Sequence, residues 1–326
     1  MTANTHVETT QVPGRRLGRR APKNAPHLKL GSFLTGAVPA HPVTVDHLAG
    51  ATYGLYGNDT YGDCGPTSVA NQRRLVTAHL GGAEQDPSQD DVFDLYRRSG
   101  NPGFNPATDA DDNGVDMQTM LEAVQSGGIA GVKCLAFAKV DTSNLDEVRA
   151  AISIFGSLLL GVNLETAQQS QTNNGLWDYQ RSGEWGGHAV LAGRYTSASH
   201  GADVAVVTWA EEVSTTDAFW AHQVEEAWVV VWPEHLGMVE FQQGVDMAAL
   251  AADYEALTGR QFPVQPIPQP VPGPVPVPVP PAADPADEAL VNALGPWLNE
   301  HHTGDNRRAV HAVETWMAAK GLQAAS

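Results

Sequence analysis

The sequence runs to 326 residues, 42% of them hydrophobic, which allows one large domain or two smaller ones around a sizeable core. A formal net charge of −18 argues against nucleic acid as a partner, because phosphate binding needs a positive face. No run reaches the roughly 18 uncharged apolar residues of a membrane span, so no membrane partner is expected.

Residues 1–45 lack periodicity and read as an extended basic arm. Within the first thirty positions Arg15, Arg16, Arg19, Arg20, Lys23 and Lys29 face only Glu8. Such an arm is either solvated or docks onto an acidic partner surface. Its paired arginines are followed by Ala-Pro-Lys-Asn-Ala-Pro, not an apolar stretch, so no signal peptide is expected and the expected location is the cytoplasm or a phage virion.

Residues 46–260 form the principal domain. The spacing predicts a helix over 64–80, with Asp63 as N-cap and Pro66 in its first turn. Met117, Met120, Leu121 and Val124 mark a second helix, stopped by Gly127-Gly128, and Leu145, Val148, Ile152 and Phe155 mark a third. Four short runs rich in Val and Leu then read as strands, at 157–164, 188–195, 204–209 and 227–232. Helices first and strands later is an α+β arrangement. Residues 261–283 are a Pro-rich linker, in extended polyproline form. Residues 284–326 read as a small helical hairpin that docks to a partner or self-associates, since so short a unit buries little surface.

Two cysteines make no disulfide framework, and both are expected free. Cys134 lies in the apolar run from Val132 to Phe137 and reads as inert core. Cys64 ends the polar, glycine-rich stretch Gly57-Asn58-Asp59-Thr60-Tyr61-Gly62-Asp63-Cys64 and opens a helix. There the unsatisfied N–H groups and the macrodipole favour a thiolate, so a lowered pKa is expected. A nucleophilic thiol needs a base within hydrogen-bond reach. Of twelve histidines, His188 stands apart: it follows Gly186-Gly187 and opens the strand His188-Ala189-Val190-Leu191, where glycines leave its ring accessible.

Cysteine at a helix start, a His-Ala-Val strand far downstream and a tryptophan-bearing strand after it resemble the papain-like cysteine peptidases. The resemblance spans about 180 residues and implies a two-lobed fold, a helical lobe facing an antiparallel sheet lobe. It implies Cys64 as nucleophile, His188 as base, and Asn58, six positions before Cys64, as oxyanion donor beside the backbone N–H of Cys64. Trp209 takes the place of the tryptophan that shields the pair. Trp185 and Gly187 flank His188 as candidate substrate-binding positions, with Trp177 as a further cleft-lining candidate. The family's histidine-orienting Asn or Asp is replaced by Val207; Thr208, Glu211 or Asp203 could substitute, and spacing does not choose among them.

The expected activity is cleavage of an amide bond in a protein or cell-wall peptide, with no cofactor and no metal. Asp109, Asp111, Asn113 and Gly114 match the start of a calcium loop, but Met120 stands where its bidentate acid belongs. The alternative is a catalytically weak or silent papain-fold binding or structural protein, such as a phage virion component, which the similarity to papain-fold proteins of bacteria and their phages implies. Glu211-Glu212 and Glu225-Glu226 are expected to be surface charge.

Overall fold

The computed structural model describes residues 14–262, apart from 24, 26–27, 35–37, 82–84, 197–202 and 259–260. The Pro-rich linker beyond Phe262 and the C-terminal module lie outside the described residues. Eight helices are α1 (Cys64–Val76), α2 (Gln89–Arg98), α3 (Met117–Gly127), α4 (Leu145–Phe155), α5 (Gln168–Asn173), α6 (Asp217–Gln223), α7 (Val239–Gly244) and α8 (Met247–Thr258), counted among the described residues. The strands are β1 (Val45–Asp46), β2 (Ala136–Val140), β3 (Leu158–Glu165), β4 (Leu176–Trp177), β5 (Glu184–Tyr195), β6 (Val204–Thr208), β7 (Glu211–Thr215) and β8 (Val224–Val231).

The three expected helices and four expected strands are present within a few residues of their anticipated ends. Asp116 caps α3 by accepting from the Thr119 N–H, and Asn144 caps α4 in the same way through Glu147. Asp63 holds the N-cap position of α1 but makes no capping bond. Helix α2 escaped the periodicity argument although its start is written locally: Ser88 and Asp91 form a reciprocal capping box, and Arg97 and Arg98 close the last turn.

The strands form one sheet in the order β2-β8-β3-β5-β6-β7-β4, with β1 pairing β5; every pairing is antiparallel except β4 with β7. Both faces are covered, which is why its strands read as continuous apolar runs and not as alternation. Ala189, Leu191, Val207, Trp228 and Val230 turn to one face and pack with Val69, Leu75, Leu95, Met120 and Leu121 of α1–α3. Val190, Ala192, Val206, Ala227 and Val229 turn to the other and pack with Val148, Ile152, Phe219 and Phe241 of α4, α6 and α7. Helix α1 is the buried axle of the first cluster, pinned to β5 where Ser68 Oγ donates to the Ala189 carbonyl at 3.2 Å.

The basic arm departs from expectation. Residues 15–20 do not stand free in solvent; they lie against their own domain. The Arg16 N–H donates to the Asn58 carbonyl (3.0 Å), the Arg19 N–H to Gly187 (3.1 Å) and the Arg20 N–H to Val115 (2.7 Å), while the Val115 N–H returns a bond to Gly18 (2.6 Å). Those contacts come from three separate loops and strands, so their convergence has no local sequence signature.

Candidate active site

Helix α1 brings Cys64 against the main chain of β5 next to His188, while no hydrogen bond joins Sγ to the imidazole among the described residues. The Ala189 N–H, next in chain to His188, donates to Cys64 Sγ at 3.3 Å. The His188 ring presents Nε2 to Thr208 Oγ1 at 2.7 Å, and its Nδ1 makes no hydrogen bond among the described residues. Of the three candidates for orienting the histidine, Thr208 is therefore the one in contact. Glu211 instead faces Arg15 at 3.6 Å, and Asp203 accepts from the Thr196 hydroxyl.

Trp209 reaches the histidine through an unusual turn. The pairing of Thr208 with Glu211 leaves Trp209-Ala210 as a two-residue hairpin turn with φ of 46° and 62°. That turn geometry ordinarily calls for Asn-Gly, and a bulky residue at positive φ is strained. The strain is offset by stacking: the Trp209 ring lies 4.4 Å from the His188 ring at 13°, and 5.6 Å from Trp185 at 26°. Trp185 and Trp177 are buried behind Trp209, so neither offers an open cleft wall; both support the shielding ring from within the core.

The site is closed by the arm. Cys64 and His188 are both 0% exposed. The main chain of Gly18 comes close to the thiol, whose described hydrogen bond is the one from the Ala189 N–H. A side chain at position 18 would run into the Gly62 carbonyl, and one at Gly187 would strike the Arg19 carbonyl, so glycine at both positions is what lets the two backbones touch. Asn58 Nδ2, the candidate oxyanion donor, donates to the Arg16 carbonyl at 3.2 Å and to that of Tyr61 at 3.2 Å; the Trp209 indole donates to the same Arg16 carbonyl at 3.3 Å.

Burial overturns the expected electrostatics. The thiol was expected to ionise easily at its helix start. Desolvation instead pushes the Cys64 pKa up to about 12, the neighbouring Asp63 adds to the rise, and backbone bonds from Ala189, Gly18 and Gly65 offset only part of it. Desolvation likewise lowers His188 to about 3 and holds the Asp63 carboxyl well above the carboxylate range. With the arm in place the pair is a neutral thiol and a neutral imidazole.

Sequence reasoning passed over the arm's anchor. Arg19 is 5% exposed and Glu226 1%, so Glu226 is buried and not surface charge. Arg19 Nε and Nη2 donate to Glu226 Oε1 at 2.9 and 2.6 Å, and Nη1 donates to Asn163 Oδ1 at 3.0 Å. The available signal was an acidic pair embedded in an otherwise apolar strand, Val224-Glu225-Glu226-Ala227-Trp228-Val229. Among the described residues no cluster of His, Cys, Asp and Glu could hold a metal ion.

No protein-family model matches the sequence, and no curated protein matches it. Solved structures do. Xylellain, a cysteine protease from Xylella fastidiosa, superposes over 67% of this chain and 97% of its own with a TM-score of 0.52, at 14% identity. The fold is that of the papain-like cysteine proteases. A procathepsin B from Trypanosoma congolense aligns over 67% of this chain and 87% of its own, with a TM-score of 0.47 and 11% identity. In this fold Cys64 opens α1, His188 lies in β5, and Thr208 ends β6 just before Trp209.

Proposed function

We infer that this papain-like chain is a cysteine peptidase or amidase held latent by its own residues 14–20. The observation that carries the reading is the contact of the Ala189 N–H with Cys64 Sγ, beside a histidine whose second nitrogen is oriented by Thr208. Once the arm leaves, water returns to the thiol and the imidazole, and both pKa values move back toward their ordinary range. The Cys64 thiolate then attacks the carbonyl carbon of a peptide bond. The oxyanion takes hydrogen bonds from Asn58 Nδ2 and the Cys64 N–H. Imidazolium His188 gives its proton to the leaving amine; water, deprotonated by His188, then cleaves the thioester and restores the thiol.

A second reading is a silent papain-fold binding protein. It is favoured by Thr208, whose neutral hydroxyl offers an imidazolium less stabilisation than a carboxylate would. A full-length Gly18→Leu chain separates the two, because leucine at that position cannot pass the Gly62 carbonyl. The peptidase reading expects this chain to cleave unfolded casein or cell-wall peptides, and Cys64→Ala in the same background to abolish cleavage. A Cys64 that becomes alkylatable while every such substrate stays intact would establish the silent reading.

A further inference from the structure

The contact that fastens the arm has the construction of a receptor. Glu226 lies in β8, a central strand, and each of its oxygens has one kind of partner: Oε2 accepts from the Trp228 indole at 2.8 Å, and Oε1 accepts only from Arg19 among the bonds described. Glu225 Oε2 reaches the same guanidinium at 2.6 Å and is itself held by Asn163 Nδ2 at 3.1 Å. Gly161 clears the space, since a Cβ there would lie 2.5 Å from Arg19 Nε. The pocket opens beside the thiol: the Arg19 N–H binds Gly187, the residue before His188.

Every wall of this pocket belongs to the folded domain, and among the described residues the cation bonded there comes from the segment that must leave for the site to work. A buried carboxylate left without its partner is strongly unfavourable, so a vacated pocket selects a cation. Three acceptors arranged around one planar group suit a guanidinium, which donates in several fixed directions, better than the point charge of lysine. The pocket reads a side chain, so the direction in which the bound backbone runs does not alter what it accepts.

Resting on the peptidase reading for its place in a reaction, we propose that Glu226, Glu225 and Asn163 form a specificity pocket for an arginine side chain of the peptide substrate, which Arg19 fills in the latent chain. The substrate class is then peptides with arginine close to the bond that is cut.

The test uses the full-length Gly18→Leu chain and two probes. Mass spectrometry of cut sites in a denatured proteome should show arginine enriched at least about tenfold at one fixed position relative to the cleaved bond, with the enrichment lost in Glu226→Gln. Cleavage without arginine enrichment overturns the pocket and leaves the peptidase standing. The peptide acetyl-Leu-Gly-Arg-Gly-amide should also bind at least about tenfold more tightly than its alanine and glutamate counterparts, through Glu226. That binding without any cleavage sustains the pocket and sinks the peptidase. Neither binding preference nor cleavage overturns both. Should Gly18→Leu fold poorly, full-length Arg19→Ala answers the question: added arginine amide should raise its Tm, and should fail to do so once Glu226→Gln is added. No rise in Arg19→Ala rejects the pocket.

Discussion

Cys64 and Cys134 are 0% and 3% exposed, and burial pushes both thiols upward. By those measures they are alike. They differ in what covers them. Cys134 belongs to the apolar cluster of the helical lobe and is enclosed by the core that holds the lobe together. Cys64 opens a helix in that cluster, yet Gly18, forty-odd positions upstream in the arm, lies across it, tied down by main-chain hydrogen bonds and one buried ion pair. Opening the first thiol means losing the core; opening the second means releasing one segment, a far smaller unit of structure. The same degree of burial is therefore permanent at one cysteine and reversible at the other.

The widest gap between the two should appear on displacing the arm. In Gly18→Leu the Cys64 pKa returns from about 12 toward its ordinary 9, which raises the thiolate fraction at neutral pH by about a thousandfold. Iodoacetamide labelling followed by peptide mapping should show that rise at Cys64 and none at Cys134. Equal gains at both would mean that the lobe itself had opened and would erase the distinction.

A smaller effect is expected within the opened site. Asn58→Ala in the Gly18→Leu background should lower kcat about a hundred- to a thousandfold, the range for loss of one oxyanion donor, with labelling of Cys64 unchanged. An unchanged kcat would leave Asn58 as a residue that only holds the arm through Arg16.

The smallest effect is on stability. His188 and His235 are both buried and lowered, to about 3 and about 4. For a depressed base the stabilisation is complete above the unfolded value near 6.5 and is lost as pH falls toward the folded value, by about 1.4 kcal/mol per pH unit for each histidine. For the two raised thiols it is complete below about 9 and lost as pH rises. Thermal melts across pH should therefore show a plateau between these limits. Gly18→Leu should shed the Cys64 and His188 shares and keep those of Cys134 and His235, so both flanks become shallower. Flanks of unaltered slope would show that the arm does not govern burial at the site.

Much of this molecule was legible from residue order. Helices α1, α3 and α4 carry 3.6-residue periodicity and local stop signals, and β3, β5, β6 and β8 carry β-branched runs between turn residues, all of which act over a few positions. The motifs around Cys64 and His188 belong to those same elements, so the papain-like arrangement could be anticipated from them. Thr208 could not be chosen over Glu211 and Asp203, because the choice depends on the Trp209-Ala210 turn, a strained geometry that composition gives no reason to expect.

By itself, then, the sequence determined the α+β layout, the lobe each chemical group would occupy and the inertness of Cys134, because short-range spacing and burial pattern decide these. Only the tertiary structure decided the state of the site. A thiol's ionisation depends on what excludes water from it, and here that is a glycine from the distant arm, held by an arginine whose partner lies more than two hundred residues away.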